Sequence, residues 1–176
     1  EIQNIRIGDL RSHITHVPQE PYLFSGTIGD NITFGNLVDD AELIRAAREA
    51  ALYETVQQFP RGFDTPVGER GVVLSGGQKQ RIVLARALLR KSRIMLFDDP
   101  IGQVDTETAS LIIETIHSLA HERSVLIASH RIPAVAFADR IIVMRNGRIA
   151  ESGTHAELIA EGGYYAKTEA LQRFEG

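Results

Sequence analysis

Cysteine is absent from this 176-residue chain, so no disulfide or thiolate-bound metal can form. That suits a reducing compartment and does not by itself prove one. Long apolar runs are missing too: no stretch approaches the roughly 18 uninterrupted apolar residues of a membrane span. Charge is not biased to one sign, with 19 basic against 23 acidic residues and a net charge of −4. Without a basic block, no nucleic-acid partner is expected. Internal repeats, low-complexity tracts and an evident linker are also lacking. The first residue is Glu1 and no charged-then-apolar leader follows it, so the chain reads as starting inside a longer sequence. No G-x-x-x-x-G-K-[ST] phosphate loop occurs anywhere, and Gly77-Gln78-Lys79 is no substitute for one.

What is present is globular in composition, 43% apolar and 24% charged, and long enough for one domain with its own core. Three short apolar runs, residues 13–17, 94–97 and 124–128, read as strands. The last two are apolar enough to be buried on both faces. Helical patterns cover residues 39–59, with acidic residues in the first turn and Leu43, Ala47, Ala50 and Ala51 on its apolar side. They also cover 78–90, and 106–120 with Leu111, Ile112, Ile116 and Leu119 on one stripe. Alternating helices and buried strands predict an α/β domain with a mainly parallel sheet. Further on, residues 140–144 and 148–151 flank Asn146-Gly147, a strong signal for a tight hairpin. Thr154 with Glu157 fits a capping box opening a final helix.

In a parallel sheet, ligands collect beyond the carboxyl ends of the strands. Asp98 and Asp99 follow the second run, His130 follows the third, and Gln19 follows the first after Pro18. Parallel strands would set these four along one edge. An apolar run ending in a carboxylate is how a Walker B strand offers oxygen to magnesium: Asp98 would hold the ion and Asp99 orient the attacking water. A solvated Asp-Asp turn before Pro100 is the plain alternative, and His130 or Gln19 alone means little.

LSGGQKQR, residues 74–81, is the most unusual stretch. Ser75 is a good N-cap, and Ile82, Val83, Ala85, Arg86, Leu88 and Leu89 follow at helical spacing. Gly76 and Gly77 let another group approach the backbone, and first-turn amides favour an anion. An ordinary Ser-capped helix would account for the serine and one glycine, but not for Gly-Gly-Gln together.

These residues resemble the nucleotide-binding domain of ATP-binding cassette (ABC) transporters. LSGGQ at 74–78 is similar to the family's signature, IMLFDDP at 94–100 to its Walker B, ASHR at 128–131 to its switch-histidine loop, and VPQEPYLFSGTI at 17–28 to its Q-loop. GQVD at 102–105 occupies the D-loop. TPVGERG at 65–71 resembles the exporter X-loop, although a solvated Gly-rich loop is the alternative there.

The resemblance implies a P-loop NTPase-like α/β fold, N-terminally truncated. Residues 1–30 would form the Q-loop region, 31–92 a helical subdomain with X-loop and signature, and 93–176 the Walker B, D-loop, switch histidine and C-terminal hairpin and helix. It implies two domains closing head to tail over two ATP molecules with magnesium. Leu74, Ser75, Gly76, Gly77, Gln78 and Asp105 would face ATP on the partner. Asp98 and Gln19 would contact magnesium, Asp99, His130 and Gln19 would serve catalysis, and Gln19, Glu69 and Arg70 would meet a transmembrane domain. The location implied is the cytoplasmic face of the plasma (inner) membrane.

Two departures qualify this. The family's Walker A lies upstream of its Q-loop, so these residues alone are expected to lack ATPase activity. Asp99 stands where active members usually carry Glu, which in the family often marks the slow site of a heterodimer. Gly102-Gln103 also departs from the usual small D-loop residues. A nucleotide-binding regulatory half with little hydrolysis stays open, as does a homodimer. A DNA-repair or chromosome-structure ATPase would carry a coiled coil between Gln19 and Leu74, where no sustained heptads occur. A translation-associated ABC protein is disfavoured by the X-loop-like segment.

Overall fold

The computed structural model describes residues 2–68 and 71–175. Glu69 and Arg70 lie outside the described residues. The chain forms two compact units, one ending at Ala128 and the other beginning at Ser129, a boundary that falls inside the expected 93–176 segment.

In chain order the first unit contains α1 (Ile7–Ser12), β1 (Ile14–Val17), β2 (Gly26–Thr27), α2 (Ile28–Thr33), α3 (Asp40–Glu49), α4 (Tyr53–Gln57), β3 (Pro66–Val67), α5 (Gly76–Leu89), β4 (Ile94–Asp98), α6 (Thr106–Ala120) and β5 (Ser124–Ala128). Strands β1, β4 and β5 form a parallel sheet with β4 in the middle. Val17 pairs with Phe97, and Phe97 with Ile127, so the carboxyl ends of the three strands are in register. This confirms an α/β fold with a parallel sheet.

Central position explains why Met95 and Phe97 of β4 are buried. β5 corrects the expectation of burial on both faces: its residues alternate between exposed and half-buried, and Leu126 is 65% exposed. Its apolar sequence matches a central strand, yet β4 is its one partner among the described residues, so it is an edge. In α6 the stripe is narrower than expected. Ala109, Ile112 and Ile116 are buried, whereas Leu111 is 50% exposed.

The pattern over 39–59 predicts one helix, and the structure breaks it in two. Ala51 adopts a left-handed conformation (φ 52°). Leu52 N then donates to Ala47 O (2.8 Å) and Ala51 N to Arg48 O (2.9 Å), a Schellman ending without the usual glycine. A left-handed alanine costs on the order of 1–2 kcal/mol. Part of the compensation comes from Arg81 in α5, whose Nη1 donates to Ala51 O at 2.6 Å.

Helix α2 was not anticipated, being too short for a period. Its start is nonetheless written in the sequence as a capping box: Thr27 N donates to Asp30 Oδ2 (2.8 Å) and Asp30 N to Thr27 Oγ1 (3.0 Å). Those bonds hold the Asp30 carboxyl below its usual range.

The second unit holds β6 (Ile141–Arg145), β7 (Arg148–Gly153), α7 (His155–Glu161) and α8 (Tyr164–Glu175). Asn146 (φ 50°) and Gly147 (φ 73°) make the two-residue turn with both central residues left-handed, as the Asn-Gly pair predicts. Thr154 and Glu157 form the expected capping box. The helix it opens stops at left-handed Gly162, so two helices stand where one was expected. Glu151 then accepts from the first amides of α8, Tyr164 N (2.5 Å) and Tyr165 N (3.1 Å), closing a core of Ile132, Ile141, Leu158 and Tyr165.

Candidate nucleotide site

Helix α5 begins as LSGGQ predicts. Ser75 is the N-cap: its Oγ accepts from Gln78 N at 3.2 Å, while Gln78 Oε1 accepts from Ser75 N at 2.8 Å. Leu74 is buried and anchors the start, whereas Ser75 and Gly76 are exposed. Helix geometry leaves the first-turn amides of Gly76 and Gly77 without intrahelical acceptors, with the positive end of the dipole behind them. Gly76 presents this anion-favouring end at the surface, whereas Gly77 is buried.

The reason for the second glycine is now visible, whereas at Gly76 the obstacle is the end of a flexible, exposed glutamine. A Cβ on Gly76 would collide with the Gln103 side chain, and one on Gly77 would lie 2.6 Å from the main-chain oxygen of Gln103. The group that approaches this backbone is therefore the 102–104 segment of the same chain. Gln103 Nε2 also reaches toward Gln19 O at 3.5 Å, a marginal bond.

Just after that segment, Asp105 caps α6, with Oδ1 accepting from Thr108 N (2.9 Å) and Oδ2 from Thr108 Oγ1 (2.8 Å). The Thr108 bonds hold its carboxyl below the usual range, with the Arg81 charge assisting. Arg81 itself is pulled down by burial, against the pull of Asp105.

Asp98 and Asp99 are adjacent in sequence and opposite in environment. Asp98 is exposed at the carboxyl end of β4, and Gln19 is exposed beyond the neighbouring end of β1. Asp99 is only 5% exposed and left-handed (φ 47°), a conformation Asp tolerates better than most residues. Its N–H donates to Ala128 O (2.7 Å), and its C=O accepts from Gln80 Nε2 (2.8 Å) and Gly102 N (3.2 Å). A Cβ on Gly102 would collide with Asp99 Oδ2, so the carboxylate folds back over the 99–102 turn. Gln80, buried on α5, escapes sequence reasoning because a mid-helix glutamine carries no signal of its own.

His130 lies in the second unit, two residues after β5 in the chain, and is exposed. Its C=O accepts from Gln172 Nε2 (2.8 Å), and Gln172 Oε1 accepts from Ile132 N (2.9 Å), so α8 fixes the loop that carries it. The first unit thus brings together Gln19, Asp98, Asp99, the 102–105 segment and the 74–78 helix start. Among the described residues no cluster of three His, Asp or Glu forms a complete metal cage. An exposed carboxylate at a strand end is an oxygen ligand of the kind that magnesium takes while keeping waters and phosphate oxygens as its others.

A sequence profile described as ABC transporter matches residues 1–102. The chain belongs to the ABC transporter family. It is 43% identical over 168 residues to ABC transporter B family member 24, mitochondrial, of Arabidopsis thaliana, covering 95% of this chain and 25% of that protein. It is 41% identical to the ATP-dependent lipid A-core flippase of Albidiferax ferrireducens, covering 98% of this chain and 30% of the flippase. Among solved structures, a bacterial Atm1-family ABC exporter with ATP bound superposes with a TM-score of 0.90 at 39% identity, over 98% of this chain and 30% of the exporter. This ABC chain therefore spans less than a third of the relatives it matches, and the ABC ATPase fold expected from its motifs is the one observed. No helix among its described residues is long and apolar enough to cross a membrane.

Proposed function

We propose that this chain is part of the ATP-hydrolysing domain of an exporter, and that it lends its signature helix to an ATP site on a second subunit. The carrying observation is the capped start of α5, where exposed Ser75 and Gly76 offer a hydroxyl and a first-turn amide to an anion. Bound ATP supplies the phosphoanhydride bond, and magnesium neutralises its oxygens. In that assembly Ser75 Oγ and the amides of Gly76 and Gly77 bind the γ-phosphate held by the partner, and Leu74, Gln78 and Asp105 keep the helix and the dimer seam in place. Asp98 and Gln19 would hold magnesium at the chain's own site, and His130, carried by the second unit, is the residue proposed to contact phosphate. Gln19, Glu69 and Arg70 face the transmembrane domain on the cytoplasmic side of the membrane. Catalysis in such a site is positioning and charge stabilisation, with little covalent work for the protein.

The chain's own site is the slow one of a heterodimer. Asp99 is one methylene shorter than the Glu usual in active ABC proteins, and its carboxylate is buried over Gly102 and turned from solvent. Unperturbed Asp and Glu differ by only about 0.4 pKa units, so reach decides, not basicity. The experiment is magnesium-ATPase of the full-length protein with and without a co-encoded half-transporter. Turnover should be slow alone and rise with the partner, while the isolated 176 residues stay inactive. Full activity as a homodimer overturns the heterodimer reading.

A further inference from the structure

Arg86 makes three hydrogen bonds and two ring contacts, and nothing in the nucleotide site uses it. It stands on the same helix as Ser75, 11 residues on, about 16 Å along the axis. Its Nε donates to Asn31 O (2.6 Å), Nη1 to Tyr22 O (3.3 Å) and Nη2 to Asn31 Oδ1 (3.2 Å). The guanidinium plane lies 5.0 Å from the Phe34 ring centre and 5.6 Å from that of Phe24.

Asn31 is buried and saturated. Its Oδ1 also accepts from Phe24 N (2.8 Å), and its Nδ2 donates to Phe24 O (2.9 Å) and Thr27 O (2.9 Å). Arg86 therefore ties Tyr22 and Asn31 to α5, while Asn31, itself part of the segment, closes residues 24–31 on themselves. Beneath them, buried Ile28 and Ile32 belong to α2, which packs on α5.

We infer that Arg86 is a positioning residue that makes residues 22–34 and the signature start at 75–78 move as one body. The link is mechanical: α5 is a capped, buried 14-residue helix, which transmits a displacement at one end to the other. Lysine cannot replace Arg86. A lysine ammonium carries its three donors on one nitrogen, so it cannot reach the acceptors that Nε, Nη1 and Nη2 meet from three separate positions. The inference rests on the proposed function only in calling residues 75–78 nucleotide-facing, and its test needs no hydrolysis.

The test is amide hydrogen exchange in the full-length protein. Arg86→Lys should speed exchange at least about 5-fold both in residues 24–31 and in residues 75–81, with β4 unchanged. Phe34→Leu, at an exposed position that tolerates the change, should speed exchange at 75–81 on its own and add nothing on top of Arg86→Lys. Faster exchange confined to residues 24–31 would overturn the inference. Should Arg86→Lys disturb β4 as well, Phe34→Leu decides: acceleration at 75–81 supports the link, and an unchanged rate there overturns it.

Discussion

Gly77→Ala in the full-length transporter should lower magnesium-ATPase turnover about 100-fold, measured with its partner subunit present. Two effects of one methyl group compete. Alanine is the better helix former, by up to about 1 kcal/mol in a helix interior and less at the second position. Against this, the new Cβ would lie 2.6 Å from Gln103 O and 3.3 Å from a Val104 methyl. Overpacking of this kind costs about 1–3 kcal/mol, and here the obstacle is main chain, which cannot swing aside. Either the α5 start or the 102–105 segment must shift, and the first carries Ser75 while the second carries Asp105. A displacement near 1 Å is enough for the stated loss. Gln103→Ala should not rescue it, since the colliding oxygen remains. Turnover above half the original value in Gly77→Ala would refute this role for the glycine.

The second large effect concerns the chain's own site. In a complex whose other site is silenced by Ser75→Arg, adding Asp99→Glu should raise the residual single-turnover rate about 100-fold. The present carboxylate is folded over the 99–102 turn, in space that exists because residue 102 has no side chain. A side chain one methylene longer carries its carboxylate beyond that turn. The left-handed backbone makes Glu less comfortable than Asp, at a cost of roughly 1 kcal/mol in stability, far too small to cancel the gain in reach. An unchanged rate would show that reach does not limit this site.

Much of this site was legible because its chemistry is local. Ser75 reads as an N-cap before a helical pattern, and Asp98 ends an apolar run; both patterns are short. The Asn-Gly turn belongs to the same class. What escaped was set by distant neighbours. The break at Ala51 is stabilised by Arg81 from another helix, which no window over 39–59 contains. The exposure of β5 follows from its edge position rather than from its residues. Gly76 and Gly77 were readable as close-approach positions, but the approaching group, Gln103, appears only in three dimensions, and nothing in the sequence pointed to the Asp99 carboxylate over Gly102. Arg86 looked like one more member of an apolar helix until its partners, 55 and 64 residues away, were seen.

The central claim is that Ser75 and Asp98 of one chain serve different ATP sites, the first fast and the second slow. It is tested most directly by steady-state magnesium-ATPase of the full-length protein, assembled with the second subunit proposed above and carrying Ser75→Arg or Asp98→Asn in this chain alone. Ser75→Arg is predicted to lower turnover at least about 100-fold, while Asp98→Asn leaves it within about 3-fold. Equal losses from the two substitutions would contradict the account.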